Sequence, residues 1–172
     1  MLRHLVLVRH AKSSWGDSSL SDHDRPLAPR GVKALPRITD HLARAAARPE
    51  LVLCSTARRT VDTLAGIRSA LPADMRIETV RALYGASVDT VLGLLHGVAV
   101  DVGCVMIIGH NPTLQDVAIT LVGEGDAALR ASVAAKLPTG AAVTLSFDIA
   151  WSDLGPGTAR LDDVFMPRPP RL

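Results

Sequence analysis

Leu5-Val6-Leu7-Val8-Arg9-His10, residues 5–10, is an apolar run that stops abruptly at a charged pair. Four apolar residues without alternation predict a strand covered on both faces, the arrangement of a parallel sheet flanked by helices. The pattern returns farther along. Cys104-Val105-Met106-Ile107-Ile108 ends in Gly109-His110, and Leu51-Val52-Leu53-Cys54 ends in Ser55, with Arg58-Arg59 just beyond. In open parallel sheets the ligand crevice lies past the carboxyl ends of the strands. Three such ends carrying histidine or arginine therefore predict one crevice that gathers Arg9, His10 and His110 with one or both of Arg58 and Arg59.

Helical periodicity fills the gaps between these strands. From about residue 29 to 48, Val32, Leu35, Ile38 and Leu42 recur at helical spacing, although Pro36 should kink that helix or delay its start. Ser55 and Thr56 offer caps for a second helix striped by Val61, Leu64, Ile67 and Leu71 and stopped by Pro72. Met75 to Val80 predicts a short strand, and Ser87 or Asp89 begins a helix through Val91, Leu92 and Leu95. Asn111-Pro112 places a capping residue before a proline at the first helical position. Leu114, Val117, Ala118 and Leu121 follow, and Gly123 terminates the helix. Ala142 to Phe147 and Ala159 to Phe165 predict late strands, a hairpin around Gly155-Pro156-Gly157. Alternating strands and helices give an α/β class, a three-layer α/β/α sandwich around a mostly parallel sheet. Residues 11–28 are polar and turn-rich, a long functional loop. One domain spans 1–166, and the proline-rich 167–172 is an extended tail.

Bulk properties narrow the function. The chain has 172 residues, 48% hydrophobic and 21% charged, with a net charge of +2, and a mean hydropathy of +0.23. This balance is globular, and so small a charge implies neither a nucleic-acid nor a membrane partner. Cys54 and Cys104 both lie in apolar runs, which suits two buried thiols in a reducing compartment better than a disulfide. The N-terminus enters a strand directly, without the pattern of a secretory signal, and no apolar stretch reaches membrane-spanning length. These features predict a cytoplasmic protein, monomeric by default.

Two histidines and at least two arginines in one crevice form a cationic pocket. Guanidinium groups stay protonated and present a planar fork suited to phosphate oxygens. The helix that starts at Asn111-Pro112 adds its dipole and free N–H groups. Cationic neighbours lower the pKa of an imidazole, and a neutral imidazole is a competent nucleophile toward phosphorus. The guanidinium groups supply the positive charge that magnesium supplies elsewhere, so no metal and no other cofactor is expected. Asp22, His23 and Asp24 with His10 are the candidates for a metal site, but no histidine pair has a metal-ligand spacing and carboxylates beside phosphate would repel it. Lys12, Ser13 and Asn111 flank the two histidines and are candidate substrate-binding residues.

These residues carry a resemblance. Leu7-Val8-Arg9-His10-Ala11 resembles the opening signature of the histidine phosphatase superfamily, the phosphoglycerate mutase-like proteins. Ser55 with Arg59 and Thr63 resembles its second motif, and Gly109-His110-Asn111-Pro112 its third. Within the superfamily the chain is most similar to SixA-type phosphohistidine phosphatases, on its size, Arg9-His10-Ala11-Lys12-Ser13 and Asp24-Arg25-Pro26-Leu27 with Gly31. The resemblance implies a phosphoglycerate mutase-like fold and a His10 nucleophile that becomes phosphorylated. It implies that Arg9, Arg59 and His110 hold the phosphoryl group, and that a phosphohistidine-bearing protein is the partner. Two departures stand out. Position 11 is alanine where many relatives have glycine, and Arg81-Ala82-Leu83-Tyr84-Gly85-Ala86 lacks the glutamate general acid of mutases and many acid phosphatases. An alkoxide leaving group needs a donated proton, whereas an imidazole leaves far more readily. The missing acid favours an N–P bond as substrate. A broad phosphomonoesterase of the same chemistry and a phosphate-binding module without turnover are the competing expectations.

Overall fold

Both faces of the Leu5–Val8 run are covered, and none of its four side chains is more than 2% exposed. In the computed structural model, which describes residues 1–168, the run lies in β1 (Arg3–Arg9) near the middle of a seven-stranded sheet. Its parallel neighbour is β4 (Cys104–Gly109), and β2 (Leu51–Ser55) lies next to β4, also parallel. β3 (Arg76–Val80) closes that edge. On the other side β6 (Ala142–Phe147) and β7 (Ala159–Phe165) run antiparallel, and β5 (Val122–Gly125) pairs with β7 at the far edge. The order is β3-β2-β4-β1-β6-β7-β5.

The pleat divides the core in two. Leu5, Leu7 and Ile107 point to the face covered by α3 (Val88–His96), α4 (Thr113–Leu121) and α5 (Ala127–Ala135), against Val91, Leu95, Val117 and Val133. Val6, Val8, Met106 and Ile108 point the other way, against Ile38 and Leu42 of α1 (Pro29–Arg44) and Leu64 and Ile67 of α2 (Arg58–Ile67). Two apolar layers around an almost wholly buried strand explain the unbroken apolar runs. The expected three-layer α/β/α sandwich is the one observed.

Local differences from the expectation have identifiable causes. Neither Ser55 nor Thr56 caps α2, whose cap position is Ala57 with no side-chain bond. Both hydroxyls contact histidines instead, Ser55 Oγ with His110 and Thr56 Oγ1 with His23. Pro36 does not stop α1, which passes through it on its exposed side and ends at Arg44. Val32 is 53% exposed and lies off the buried stripe. Pro112, rather than Asn111, occupies the cap position of α4. Gly123 does not terminate α4, because the chain runs from Leu121 straight into β5. Gly123 serves contact instead: a Cβ there would lie 2.1 Å from the Gly157 carbonyl oxygen. β5 and α5 carry no clear sequence signal. Ala-Ala-Leu-Arg-Ala-Ser-Val-Ala-Ala is nearly featureless, and its start is set by Asp126, whose carboxylate accepts from the Ala128 and Leu129 amides.

Cys54 and Cys104 are both free and buried. Cys54 is level with Ile108, four residues along β4 from Cys104. At strand rise that is roughly 13 Å, too far for a disulfide. Of the expected tail, residues 167 and 168 are described and Pro167 is buried; the remainder lies outside the described residues.

Candidate active site

The sheet register brings the two histidines together. Arg9 is level with Gly109 on the neighbouring strand, so the next residue on each is a histidine. The His10 amide donates to the Gly109 carbonyl at 3.1 Å. The two rings stand 5.3 Å apart between centroids, tilted by 54°. β2 ends beside them, so Ser55 reaches His110 and the first turn of α2 delivers Arg59.

His10 is 6% exposed. Its Nδ1 lies 2.7 Å from the Ala11 carbonyl. A carbonyl only accepts, so Nδ1 carries the ring hydrogen and Nε2 keeps its lone pair. Burial pushes His10 down to about 3, against the opposing pull of the Ala11 carbonyl, and His110, Arg59 and Arg9 depress it further. The sequence points to the arginines as the cause; in the fold desolvation is the larger one. His110 behaves likewise, lowered to about 4 by burial and then by Arg59. Both rings are neutral at ordinary pH.

Ser55 Oγ accepts from the Ala57 amide at 3.3 Å and lies 2.8 Å from His110 Nε2. When the hydroxyl donates to Nε2, the ring hydrogen of His110 sits on Nδ1. That Nδ1 is buried and unpartnered. Arg9 donates through Nη1 to the Leu137 carbonyl at 3.0 Å, and its Nε is buried without a partner. Arg59 donates through Nη1 to the Asp22 carbonyl at 2.7 Å and through Nη2 to the Asp22 carboxylate at 3.2 Å, and its Nε too is unpartnered. Buried N–H groups without acceptors are costly. Of the five buried side-chain nitrogens lacking a partner among the described residues, three belong to Arg9, Arg59 and His110. A tetrahedral oxyanion against His10 would give them acceptors.

The other candidates sit differently. Lys12 is exposed, and its main-chain oxygen accepts from the Ala28 amide at 2.8 Å. Ser13 is buried, with Oγ accepting from Arg25 at 3.0 Å. Asn111 donates to the Leu137 carbonyl at 2.9 Å, the same oxygen that Arg9 uses, and so fixes the 136–138 segment against the site. Arg58 is exposed and reaches Asp62 at 3.5 Å. Ala11 donates its amide to Thr63 Oγ1 at 3.0 Å. No non-glycine residue among those described has a positive φ, so alanine sits at position 11 without strain.

Two site residues were not singled out from the sequence. Asp22 receives Arg59, Arg25 and the Tyr84 hydroxyl, the last at 2.6 Å. Tyr84 stands edge-on to His110 at 5.6 Å between centroids. Tyr84 lies in the very stretch that lacks the glutamate, so that stretch supplies a phenol and the loop supplies the carboxylate. Asp22 and Tyr84 are 62 residues apart, and only the fold joins them.

The chain is similar to known proteins of one family. The family model of the histidine phosphatase superfamily (branch 1) matches residues 5–101. An uncharacterized protein of Mycobacterium tuberculosis is 36% identical over 163 residues, 94% of this chain and 100% of the relative. Among solved structures, a candidate phosphohistidine phosphatase SixA from Nakamurella multipartitia superposes with a TM-score of 0.82 at 32% identity, covering 97% of each chain. One from Agrobacterium tumefaciens gives 0.80 at 29% identity, covering 95% of this chain and 97% of its own.

Proposed function

Since the chain belongs to the histidine phosphatase superfamily, with the phosphoglycerate mutase-like fold, we propose that it is a phosphohistidine phosphatase working through a phosphorylated His10. The observation that carries this reading is a buried, neutral imidazole with a free Nε2, set beside three buried side-chain nitrogens that lack hydrogen-bond partners. Similar structures described as candidate SixA phosphohistidine phosphatases support the substrate class.

The reaction has two steps. A phosphoryl group enters with its oxygens toward Arg9, Arg59 and His110. Nε2 of His10 forms a bond to phosphorus while the bond from phosphorus to the substrate nitrogen breaks. The electron pair of the broken bond stays on that nitrogen. With the substrate ring protonated on its other nitrogen, the leaving group is a neutral imidazole and His10 takes over the positive charge. Water then attacks phosphorus, the pair returns to Nε2, and phosphate leaves with a proton released. Little covalent help is required, so positioning and charge stabilisation dominate. Guanidinium groups supply the positive charge, and no metal or cofactor is assigned. No helix among the described residues is long and apolar enough to cross a membrane, and two free buried thiols suit a reducing compartment such as the cytoplasm.

The test is a substrate panel with a trapping experiment. Phosphate is released from a phosphohistidine peptide faster than from aryl or sugar phosphates, and rapid quenching yields an acid-labile phosphoprotein. His10→Ala abolishes both turnover and label. Retention of appreciable activity in that variant removes His10 as the nucleophile, and faster turnover of esters removes the substrate class.

A further inference from the structure

Among the described residues Asp22 is the one carboxylate that pairs with Arg59, and it stands in an unusual position. It holds the outer edge of Arg59 with two oxygens, its carbonyl on Nη1 and its carboxylate on Nη2. Nε of Arg59, the unpartnered and buried nitrogen, is thereby left for the phosphoryl group. The carboxylate is in turn fixed by Arg25 through Nε at 3.2 Å and by the Tyr84 hydroxyl. Its side chain is nevertheless 48% exposed, whereas Arg59 beside it is 8% exposed. Asp22 therefore stands at the mouth, and the nucleophile lies at the bottom.

In-line displacement sets the direction of departure. The leaving atom stands opposite His10 across phosphorus. His10 is buried, so that direction is outward, past His110, Tyr84 and Asp22. We propose that Asp22 is a positioning and specificity-determining residue, which holds Arg59 side-on to the phosphoryl group and selects leaving groups that carry a proton on nitrogen. This rests on the phosphohistidine reading above. An anionic carboxylate at the mouth attracts a ring-protonated phosphoimidazole and raises the share of substrate in that reactive form. The same charge repels substrates whose remainder is anionic, such as sugar bisphosphates. The groups in contact with Asp22 are Arg25, Arg59 and Tyr84, with His110 in electrostatic reach; His23, which pairs with Asp24, and Arg81 stand against the Tyr84 ring. Tyr84 and Arg59 hold Asp22 well below the usual carboxylate range, at about 2, so it stays charged wherever the enzyme works.

The measurement compares wild type with Asp22→Asn and Asp22→Glu on a phosphohistidine peptide and on an aryl phosphate, across pH 5.5–9. In Asp22→Asn, kcat/KM for the phosphohistidine peptide falls at least tenfold more than for the aryl phosphate. The alkaline limb of the phosphohistidine profile moves to lower pH, because the substrate ring is no longer held protonated. Asp22→Glu restores part of both effects. Equal losses on both substrates with an unmoved limb would make Asp22 a support for Arg59 only and overturn the selection. Equal gains would make it a competitor for Arg59 and overturn the proposal entirely. If Asp22→Asn does not fold, Tyr84→Phe, which frees the carboxylate from one bond, must move the limb in the opposite sense, and an unmoved limb overturns the selection. Wild type that ignores phosphohistidine is a failure of the functional reading, separate from a wild type that cleaves it with an unchanged substrate ratio in the variants.

Discussion

At the scale of single residues the site is controlled by desolvation. His10 and His110 are pushed to about 3 and about 4 by burial, below the ordinary histidine value near 6.5. The unfolded chain therefore takes up protons first as pH falls, and folding stability drops between pH 6.5 and about 3 while remaining flat above. Each fully divergent group contributes about 1.4 kcal/mol per pH unit in that window. The expected outcome is a lower urea midpoint at pH 4.5 than at pH 7.5, with a shallower decline in His10→Gln; equal slopes would refute the depressed value. Arg59 is a second residue-scale test. A lysine there cannot grip both Asp22 oxygens and still offer a side-on N–H. Arg59→Lys should lower kcat by about 10²-fold, the usual loss on removing one charge-stabilising donor. Its melting temperature should stay close to wild type, and turnover within threefold of wild type would contradict the assigned role.

At the scale of elements, two glycines separate site from scaffold. Gly31 lies in the first turn of α1, where a Cβ would meet the Lys12 carbonyl oxygen at 2.2 Å. That contact seats the long loop against α1, so Gly31→Ala forces apart the segment that follows His10. Gly123 sits on β5 at the far edge of the sheet against Gly157. Each alanine should cost about 1–3 kcal/mol, the range for overpacking a closed contact. Denaturant titration with initial rates distinguishes them. Gly31→Ala loses activity as well as stability, and Gly123→Ala keeps kcat near wild type once folded. Loss of kcat in Gly123→Ala would mean that the far edge is coupled to the site.

For the whole molecule, two apolar layers on either face of one sheet seal the central strands. Cys54 and Cys104 lie in β2 and β4, and burial pushes both thiols up to about 12. Neither is a useful nucleophile in the fold. A thiol-specific reagent should therefore label neither cysteine in the native protein and both after unfolding, and reductant should leave the melting temperature unchanged. Labelling at native conditions would indicate that the helical layers open locally.

The apolar runs ending in His10, Ser55 and His110 were legible because a strand buried on both faces admits no polar residue until it leaves the core. An arginine just beyond β2 was legible from its place in the chain, and the family resemblance singled out Arg59 over Arg58. The helix stripes were legible apart from the exposed Val32 and Val61, and the caps failed where hydroxyls had other partners, as at Ser55 and Thr56. β5 and α5 were not, since a short edge strand and an alanine-rich helix impose little pattern. Asp22 was not legible as a site residue either. Its meaning lies in Arg59, 37 residues away, and Tyr84, 62 residues away, and no spacing rule links a loop carboxylate to such partners. Local sequence determined the buried strands, the order of the layers and the presence of histidines at strand ends, because burial and periodicity act over a few residues. The tertiary structure decided which nitrogens are left without partners and which carboxylate stands beside them, because those depend on groups that meet only when the sheet closes.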